Sequence, residues 1–247
     1  MRAQATKIRV DQLLVDRGLA DSRDKARALI IAGDVLIDGQ KSDKPDRSVA
    51  SDCQVQVTAR LQYVSRGGLK LAAALDQFGI DPAGRVCLDV GSSTGGFTDC
   101  LLQRGARLVW SIDVGHGQLD WKLRNDPRVV VREGVNARYL AAEDITVKFD
   151  LAVCDASFIS ATLLIPAIVP LLTKRGEMVI LVKPQFEAGK GEVGKGGIVR
   201  DPAQHRQACD RVQACVEAYG FRASFIESPI KGAEGNREFL LYAQPHT

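Results

Sequence analysis

The sequence predicts a mainly parallel, doubly wound α/β domain that follows a small α+β module. Three observations lead to this prediction. From residue 68 onward, apolar strand-like runs alternate with helical stretches; before residue 60, two short amphipathic helices precede an Asp38-Gly39 turn; and 45% of the 247 residues are hydrophobic. We therefore expect the module over residues 1–60, a linker over 61–67 and the α/β domain over 68–247.

Composition and charge restrict the class of protein. The first ten residues lack an apolar segment, and the longest uncharged run, residues 156–173, contains two prolines, so neither a signal peptide nor a membrane span is expected. Six cysteines without a Cys-x-x-Cys pair, and only three histidines, argue against a metal site or a disulfide framework. We expect a cytoplasmic, soluble monomer without a metal ion.

The N-terminal module begins with two predicted helices. Apolar side chains at positions 10, 13 and 14 indicate a short first helix. The second helix is expected from its N-cap Ser22 to Ala32, with Gly33 at its end. An Asp38-Gly39 pair is typical of a hairpin turn, and residues 53–59 are the candidate returning strand.

This module resembles a small RNA-binding fold. The segments "RVDQLL" and "SRDKARALIIAGDVLIDG" match the fold shared by a small-subunit ribosomal protein, several pseudouridine synthases and tyrosyl-tRNA synthetases. Residues 1–66 hold 12 Lys and Arg against 9 Asp and Glu, which accounts for the whole formal net charge of +3. The resemblance implies that basic side chains contact RNA phosphates; the candidates are Arg9, Arg23, Lys25, Arg27, Lys41 and Arg66. A solvated helix face is the alternative interpretation.

Seven apolar runs in the second part of the chain are expected to form a sheet. They lie at 86–90, 108–113, 128–131, 149–155, 178–183, 221–226 and 238–242. Helical stretches lie between most of them, including 161–172 and 202–219. Alternation of this kind predicts a mostly parallel sheet with helices on both faces.

A glycine-rich turn follows the first of these runs. In "CLDVGSSTGGFTDCLL", the spacing Gly91-x-x-x-Gly95-Gly96 differs from the dinucleotide pattern G-x-G-x-x-G. Asp89 would repel a pyrophosphate but suits a cationic ligand such as S-adenosylmethionine. Asp113, which ends the next run, is placed to accept hydrogen bonds from a ribose. A tight turn that binds no ligand is the alternative.

Three charged residues lie at the ends of apolar runs. Asp155 ends the fourth run, Lys183 ends the fifth and Glu238 begins the last. If the last strand is antiparallel and pairs with the fifth, all three reach one edge of the sheet. Taken one at a time, each has an ordinary structural explanation. Asp155 could cap a helix, Lys183 could be a lysine at the rim of the sheet, and Glu238 could be an exposed residue at the start of a strand. Lys70, the only charge between Gly67 and Leu75, is either a surface lysine or a positioned amine, and we expect its stem to be exposed.

With these residues the chain resembles ribose 2′-O-methyltransferases of the FtsJ type, whose catalytic groups are Lys, Asp, Lys and Glu in that order. The resemblance is closest to the TlyA family, also called hemolysin A, through "YVSRGGLKL", "DVGSSTGGFTDCLL", "DVGHGQLDWKLRNDPRVV", "CDASFIS", "VKPQFEAGKGEVGKGGIVRDP" and "GNREFLLY". It implies a Rossmann-like, S-adenosylmethionine-dependent methyltransferase domain that acts on ribosomal RNA. Family members methylate cytidines of large-subunit rRNA, and some also of small-subunit rRNA.

The resemblance also assigns residues to roles. The implied catalytic residues are Lys70, Asp155, Lys183 and Glu238. The implied cofactor-binding residues are Asp89, Gly91, Ser92, Ser93, Thr94, Gly95, Gly96, Phe97, Asp113, Asn136 and Asp155. Lys183, partly desolvated and near the cation Lys70, is a candidate general base, in which case Lys70 and Glu238 would orient the hydroxyl and Asp155 would balance the lysines. The sequence leaves open which lysine is the base.

The segment 184–201 is the remaining functional candidate. It contains five glycines together with Lys190, Lys195 and Arg200, and it follows Lys183 directly. A loop of this length inside a compact domain is usually functional or disordered. We expect a mobile lid over RNA to which Lys190 and Lys195 contribute; a merely flexible surface loop is the alternative.

Two other functions remain open from the sequence. The name hemolysin A suggests a membrane-active protein, although no stretch has the pattern of a span or of an amphipathic membrane helix. A non-catalytic RNA-binding protein with a decayed enzyme domain is the other alternative. The complete Lys-Asp-Lys-Glu set argues against it.

Overall fold

The computed structural model describes residues 6–57, 62–141, 143, 145–188, 194, 196–232 and 235–246. The chain divides into two compact units, Met1–Arg66 and Gly67–Thr247.

Over residues 6–57, the first unit forms two helices and five short strands. In chain order they are β1 (Lys7–Arg9), α1 (Val10–Asp16), α2 (Arg23–Ala32), β2 (Val35–Ile37), β3 (Gln40–Lys41), β4 (Ser48–Ala50) and β5 (Val55–Val57). Strand β1 pairs antiparallel with β4, and β2 lies between β3 and β5, antiparallel to both. The buried side chains of α1 and α2, including Leu14 and Ile30, form its core with Val35 and Ile37.

Local sequence chemistry explains most of this unit. The Ser22 hydroxyl accepts a hydrogen bond from the Lys25 amide at 3.3 Å, which caps α2 as predicted. Gly33, with φ +78°, ends that helix in the left-handed region. Asp38 and Gly39 form the predicted turn between β2 and β3. The β1–β4 pair was not predicted, because three-residue strands show too little alternation to be recognised.

The second unit is a sheet of seven strands with helices between them. Its elements are α3 (Gly67–Phe78), β6 (Val86–Val90), α4 (Gly96–Gln103), β7 (Leu108–Asp113), α5 (Trp121–Arg124), β8 (Val129–Glu133), β9 (Phe149–Cys154), α6 (Ile165–Ile168), β10 (Leu172–Val182), α7 (Pro184–Glu187), α8 (Pro202–Glu217), β11 (Phe221–Glu227) and β12 (Phe239–Pro245). Short 3₁₀ turns occupy Ala137–Tyr139, Ala161–Leu163 and Val169–Leu171.

The sheet has the order β11-β12-β10-β9-β6-β7-β8. Strands β8, β7, β6, β9 and β10 are mutually parallel, whereas β12 is antiparallel to both β10 and β11. The prediction of a mostly parallel sheet, with its antiparallel last strand beside the fifth, is confirmed. Chain order reverses between β6 and β9, so the carboxyl ends of these strands flank the crevice where ligands bind in open α/β sheets.

Both faces of the sheet are covered by helices. Along β6, Leu88 and Val90 belong to the core cluster that includes Val212 and Val216 of α8. Successive strand residues face opposite sides, and Asp89 is hydrogen-bonded to Thr98 of α4. Helix α3 packs against α4 and β12. The sheet is therefore doubly wound, as predicted.

One predicted helix is wrong in extent. Residues 161–172 form two 3₁₀ turns around the four-residue α6, because Pro166 and Pro170 lack the amide hydrogens that a continuous helix needs. Strand β10 then begins at Leu172, six residues earlier than expected, and its register with β9 shifts between Leu172 and Glu177.

Candidate active site

The glycine turn after β6 is shaped by a close approach of two backbones. Gly91 has φ +80°, and a Cβ atom there would lie 2.7 Å from the carbonyl oxygen of Asp155. Gly95 has φ +96°, in the left-handed region that favours glycine, and a Cβ atom there would meet the side chain of Leu123. Gly91 is the position that a Cβ atom would block, and there the turn brings the end of β6 against the end of β9.

Asp113, at the end of β7, is held by backbone amides. Its Oδ2 accepts a hydrogen bond from the Ser93 amide at 2.8 Å, and its Oδ1 accepts one from the Gly115 amide at 2.7 Å. Each carboxylate oxygen has two lone pairs, so both retain capacity for a further donor. The carboxylate is thus fixed beside the glycine turn with free acceptor sites.

A cavity of about 520 Å³ opens at this edge of the sheet. Five predicted cofactor-binding residues line it: Gly91, Ser93, Asp113, Asn136 and Asp155. Its other walls are largely apolar; they include Ile112, Val114, Val135 and Leu164. The six remaining predicted residues, Asp89, Ser92, Thr94, Gly95, Gly96 and Phe97, shape the turn and its support but are not among the residues that line the cavity.

Asp89 lies fully buried beneath the turn. Its Oδ2 accepts a hydrogen bond from the Thr98 hydroxyl at 2.6 Å, whereas Oδ1 has no hydrogen-bond partner within the described part of the chain. Burial, reinforced by the negative charges of Asp155 and Asp113, raises the pKa of Asp89 to about 7, against the lowering effect of the Thr98 hydrogen bond. A buried carboxylate with an unsatisfied oxygen favours a cation nearby.

The raised pKa of Asp89 predicts a pH-dependent stability. In the folded state Asp89 keeps its proton up to about pH 7, whereas in the unfolded state it loses this proton near pH 4. The contribution of Asp89 to the stability of the fold is therefore fully present below pH 4 and is lost as the pH rises through about 7. Without cofactor, the free energy of unfolding of the wild type should fall by up to about 4 kcal/mol relative to Asp89→Asn over this window. Denaturant unfolding at several pH values measures the difference, with the exposed Asp81→Asn as control. A pH-independent difference between wild type and Asp89→Asn contradicts the prediction.

The four predicted catalytic residues form two ion pairs at the same edge of the sheet. Lys70 Nζ lies 2.5 Å from Glu238 Oε2. Lys183 Nζ lies 2.6 Å from Asp155 Oδ1 and donates a hydrogen bond to the Ser157 hydroxyl at 2.8 Å. Val182 pairs with Phe239, which places Lys183 and Glu238 on adjacent strand ends.

The environment of Lys70 differs from the sequence expectation. An exposed stem was expected, but the residue is only 8% exposed and its partner Glu238 only 3%. Helix α3 packs against β12, the strand that begins directly after Glu238. The prediction of exposure is therefore wrong, because Lys70 lies on the face of α3 that also buries Leu71 and Ala74.

Two residues near this site were missed from the sequence. Phe158 is 92% exposed, has φ +64° and lines the cavity. Its ring lies 5.3 Å from that of Phe186, over which Lys183 Nζ stands at 6.0 Å. Positive φ is unusual for an aromatic residue. In the sequence, the signal for a role of Phe158 at this site is its position three residues after Asp155.

Glu187 is the second missed residue. It is buried, and its carboxylate accepts hydrogen bonds from the Ser160 hydroxyl at 2.5 Å and the Ala161 amide at 2.7 Å. Burial raises the pKa of Glu187. These contacts join α7, directly after Lys183, to the segment that follows Asp155, so they hold the ends of β10 and β9 together on this side of the sheet.

In the first unit, three of the predicted RNA-binding residues are brought together. Arg9, Arg23 and Arg27 all approach the carboxylate of Asp11. Lys25 pairs with Asp21 at 3.2 Å, and Lys41 lies exposed on β3. Arg66, the last residue of this unit, is half-buried. Lys190 and Lys195, with residues 189 and 191–193 of the predicted lid, lie outside the described residues.

The described residues show neither a cluster suited to a metal ion nor a helix suited to a membrane span. No group of three or more His, Cys, Asp or Glu side chains there is arranged to hold a metal ion. No described helix has both the length and the apolar character needed to cross a membrane.

Comparisons with known proteins agree with this geometry. A family model described as FtsJ-like methyltransferase matches residues 63–244, and one described as S4 domain matches residues 8–52. The chain is 47% identical to the Mycobacterium tuberculosis 16S/23S rRNA (cytidine-2′-O)-methyltransferase TlyA, over 98% of this chain and 92% of the relative.

Two further comparisons extend this similarity. The chain is 41% identical to hemolysin A of Brachyspira hyodysenteriae, over 95% of this chain and 99% of the relative. A solved structure from Streptococcus thermophilus that carries the name hemolysin matches with a TM-score of 0.77 and 42% identity, over 98% of this chain and 90% of that one. The chain belongs to the TlyA (hemolysin A) family, in which an S4 domain precedes an FtsJ-like methyltransferase domain.

Proposed function

We propose that this protein transfers a methyl group from S-adenosylmethionine to the ribose 2′-hydroxyl of a cytidine in ribosomal RNA. The observation that carries the proposal is the set of two lysine–carboxylate pairs, Lys70–Glu238 and Lys183–Asp155, at the edge of the sheet where the cavity opens. The relatives named rRNA (cytidine-2′-O)-methyltransferases support the choice of substrate.

The residues around the cavity fit S-adenosylmethionine. Its volume of about 520 Å³ is within the range of small-molecule sites, about 300–1,000 Å³. Asp113 would accept hydrogen bonds from the ribose, the apolar walls with Asn136 would receive the adenine, and Asp89 with Asp155 would favour the cationic end. When bound, this cofactor supplies an activated methyl group.

The protein's own groups then have to align the ribose hydroxyl and remove its proton. Lys70 and Lys183 are the two candidates for the proton acceptor, since both amines lie at this edge of the sheet, and the accepting amine has to be in its neutral form. The other lysine would donate a hydrogen bond to the oxygen as charge develops there. Asp155 and Glu238 balance the two positive charges in this largely buried site.

RNA would approach from the side of the exposed phenyl ring. Phe158 stands at the cavity wall with almost all of its surface exposed, and an aromatic face is a general stacking platform for bases. In the first unit, three exposed arginines offer contacts to phosphates. The S4 domain thus supplies affinity for folded RNA, and the second unit performs the reaction.

The direct test is methyl transfer to ribosomal subunits that lack the modification. With tritiated S-adenosylmethionine, we expect label on cytidine in rRNA, in a linkage that protects the adjacent phosphodiester from alkali because the 2′-oxygen is methylated. Calorimetry should show that the isolated protein binds S-adenosylmethionine and not NADH. Binding of NADH alone, or label only on a base, contradicts the proposal.

A further inference from the structure

The first unit contains a buried carboxylate surrounded by arginines. Asp11, in the first turn of α1, has no exposed surface. Arg9 donates to it through both Nε and Nη2 at 2.9 Å, Arg23 Nη2 donates at 3.1 Å, and Arg27 Nε lies 3.7 Å away. The three arginine side chains are 42%, 52% and 53% exposed. One anion thus holds three cations whose outer faces remain in solvent.

The arrangement fixes side chains that would otherwise repel one another. The Asp11 amide donates to the Pro45 carbonyl at 3.0 Å, so the start of α1 is anchored to a neighbouring loop. The hydrogen bonds from Arg9, and to a lesser degree from Arg23, lower the pKa of Asp11 to about 2. Its charge therefore persists at neutral pH, and the group of four residues carries a net charge of +2.

Most of the arginine donors remain available to a ligand. Each guanidinium has five N–H donors, of which Arg9 uses two on Asp11 and Arg23 uses one. A planar fork that is already oriented loses less rotamer freedom when it binds a phosphate than a free arginine does. An ordered set of three therefore suits the backbone of a folded RNA.

We propose that Asp11 is a positioning residue for RNA binding: it orders Arg9, Arg23 and Arg27 into one phosphate-binding surface. This inference rests on the proposed function, because it assumes that the first unit binds RNA. The proposal predicts a change in RNA affinity opposite in sign to the change expected from net charge alone. Removing this negative charge should weaken the binding of a polyanion, because the loss of order in three contacts outweighs the gain of one positive charge.

The test compares two variants with the same change in net charge. Asp16 lies on the same helix, is exposed, and accepts a hydrogen bond from Gln12 at 2.7 Å. In filter binding to unmodified ribosomal subunits at fixed salt, Asp16→Asn should bind as tightly as the wild type or slightly more tightly. Asp11→Asn should bind about tenfold or more weakly. Equal affinity of the two variants overturns the proposal.

A second measurement separates this inference from the proposed function and from misfolding. In ¹⁵N NMR spectra of the full chain without RNA, the Nε–H groups of Arg9, Arg23 and Arg27 should be more ordered than those of the exposed arginines as a group, and Asp11→Asn should abolish the difference. Disordered side chains in the wild type overturn the inference, even where Asp11→Asn does not fold. A wild type that fails to bind subunits contradicts the proposed function instead.

Discussion

A Lys70→Met variant is expected to lose methyl transfer by on the order of a hundredfold or more while retaining cofactor affinity. Lys70 does not line the cavity, so S-adenosylmethionine binding should change little. Its ammonium lies 2.5 Å from Glu238, and the loss of one positioned contact to a transition state typically costs this much. Single-turnover methylation of unmodified ribosomal subunits measures the effect, and calorimetry measures the affinity.

Burial of the Lys70–Glu238 pair requires a control for stability. Glu238 is 3% exposed, so removing only its partner leaves a buried charge and should destabilise the fold by about 3–5 kcal/mol. The double variant Lys70→Met/Glu238→Gln removes both charges and should recover much of this stability without recovering activity. If activity returns together with stability, Lys70 has a structural role only and the assignment is wrong.

Lys183 provides a further check on the same site. When two groups act as a unit in catalysis, removal of either one also removes the contribution of the other. Lys70→Met/Lys183→Met should therefore be little slower than the slower single variant. Lys70→Arg should not restore the rate, because a planar guanidinium fits a site built for a point charge poorly. Multiplicative effects of the two lysine changes would indicate independent roles.

The second large effect is expected from Gly91→Ala. The added Cβ atom would lie 2.7 Å from the Asp155 carbonyl oxygen and 2.9 Å from its carbonyl carbon, and neither backbone atom can move without displacing the end of β9. Cofactor affinity should fall at least tenfold, and methyl transfer should fall further because Asp155 pairs with Lys183. Calorimetry with S-adenosylmethionine and single-turnover assays measure the two effects.

Gly84→Ala is the matched control for this change. Gly84 has φ +72°, close to the +80° of Gly91, but a Cβ atom there would meet nothing within 4 Å. Both variants place alanine in the left-handed region, at a cost of about 1–2 kcal/mol. Only Gly91→Ala adds the backbone clash, so only this variant should lose cofactor affinity. A Gly91→Ala protein that binds S-adenosylmethionine within twofold of the wild type contradicts the argument.

The fold was largely predictable because its signals are local. Apolar runs gave the seven strands of the sheet, Ser22 and Gly33 gave the ends of α2, and the Asp38-Gly39 turn gave a hairpin. The predicted helix over residues 161–172 failed where two prolines interrupt the hydrogen-bond ladder. The β1–β4 pair was missed because each strand has only three residues and because α1, α2, β2 and β3 separate the two strands in the chain.

The edge where the site lies was also predictable, since the ends of parallel strands share one edge of a sheet. The partners within it were not. Lys70 and Glu238 are 168 residues apart, and their pairing depends on how α3 packs against β12. The contact of Glu187 with Ser160 and the contacts of three arginines with Asp11 also depend on tertiary packing. For this reason the sequence assigned no role to Glu187 or to Asp11.

By itself, the sequence determined two units, the order of strands and helices, the glycine turn, the three charged residues at strand ends and Lys70 on the helix before the sheet, because each is encoded in neighbouring residues. Only the tertiary structure decided that Lys70 is buried, that each lysine has its own carboxylate, that Asp89 lies beneath the turn and that Phe158 is exposed at the cavity. Burial and ion pairing arise between segments distant in the chain, and their geometry is set by packing that no local pattern records.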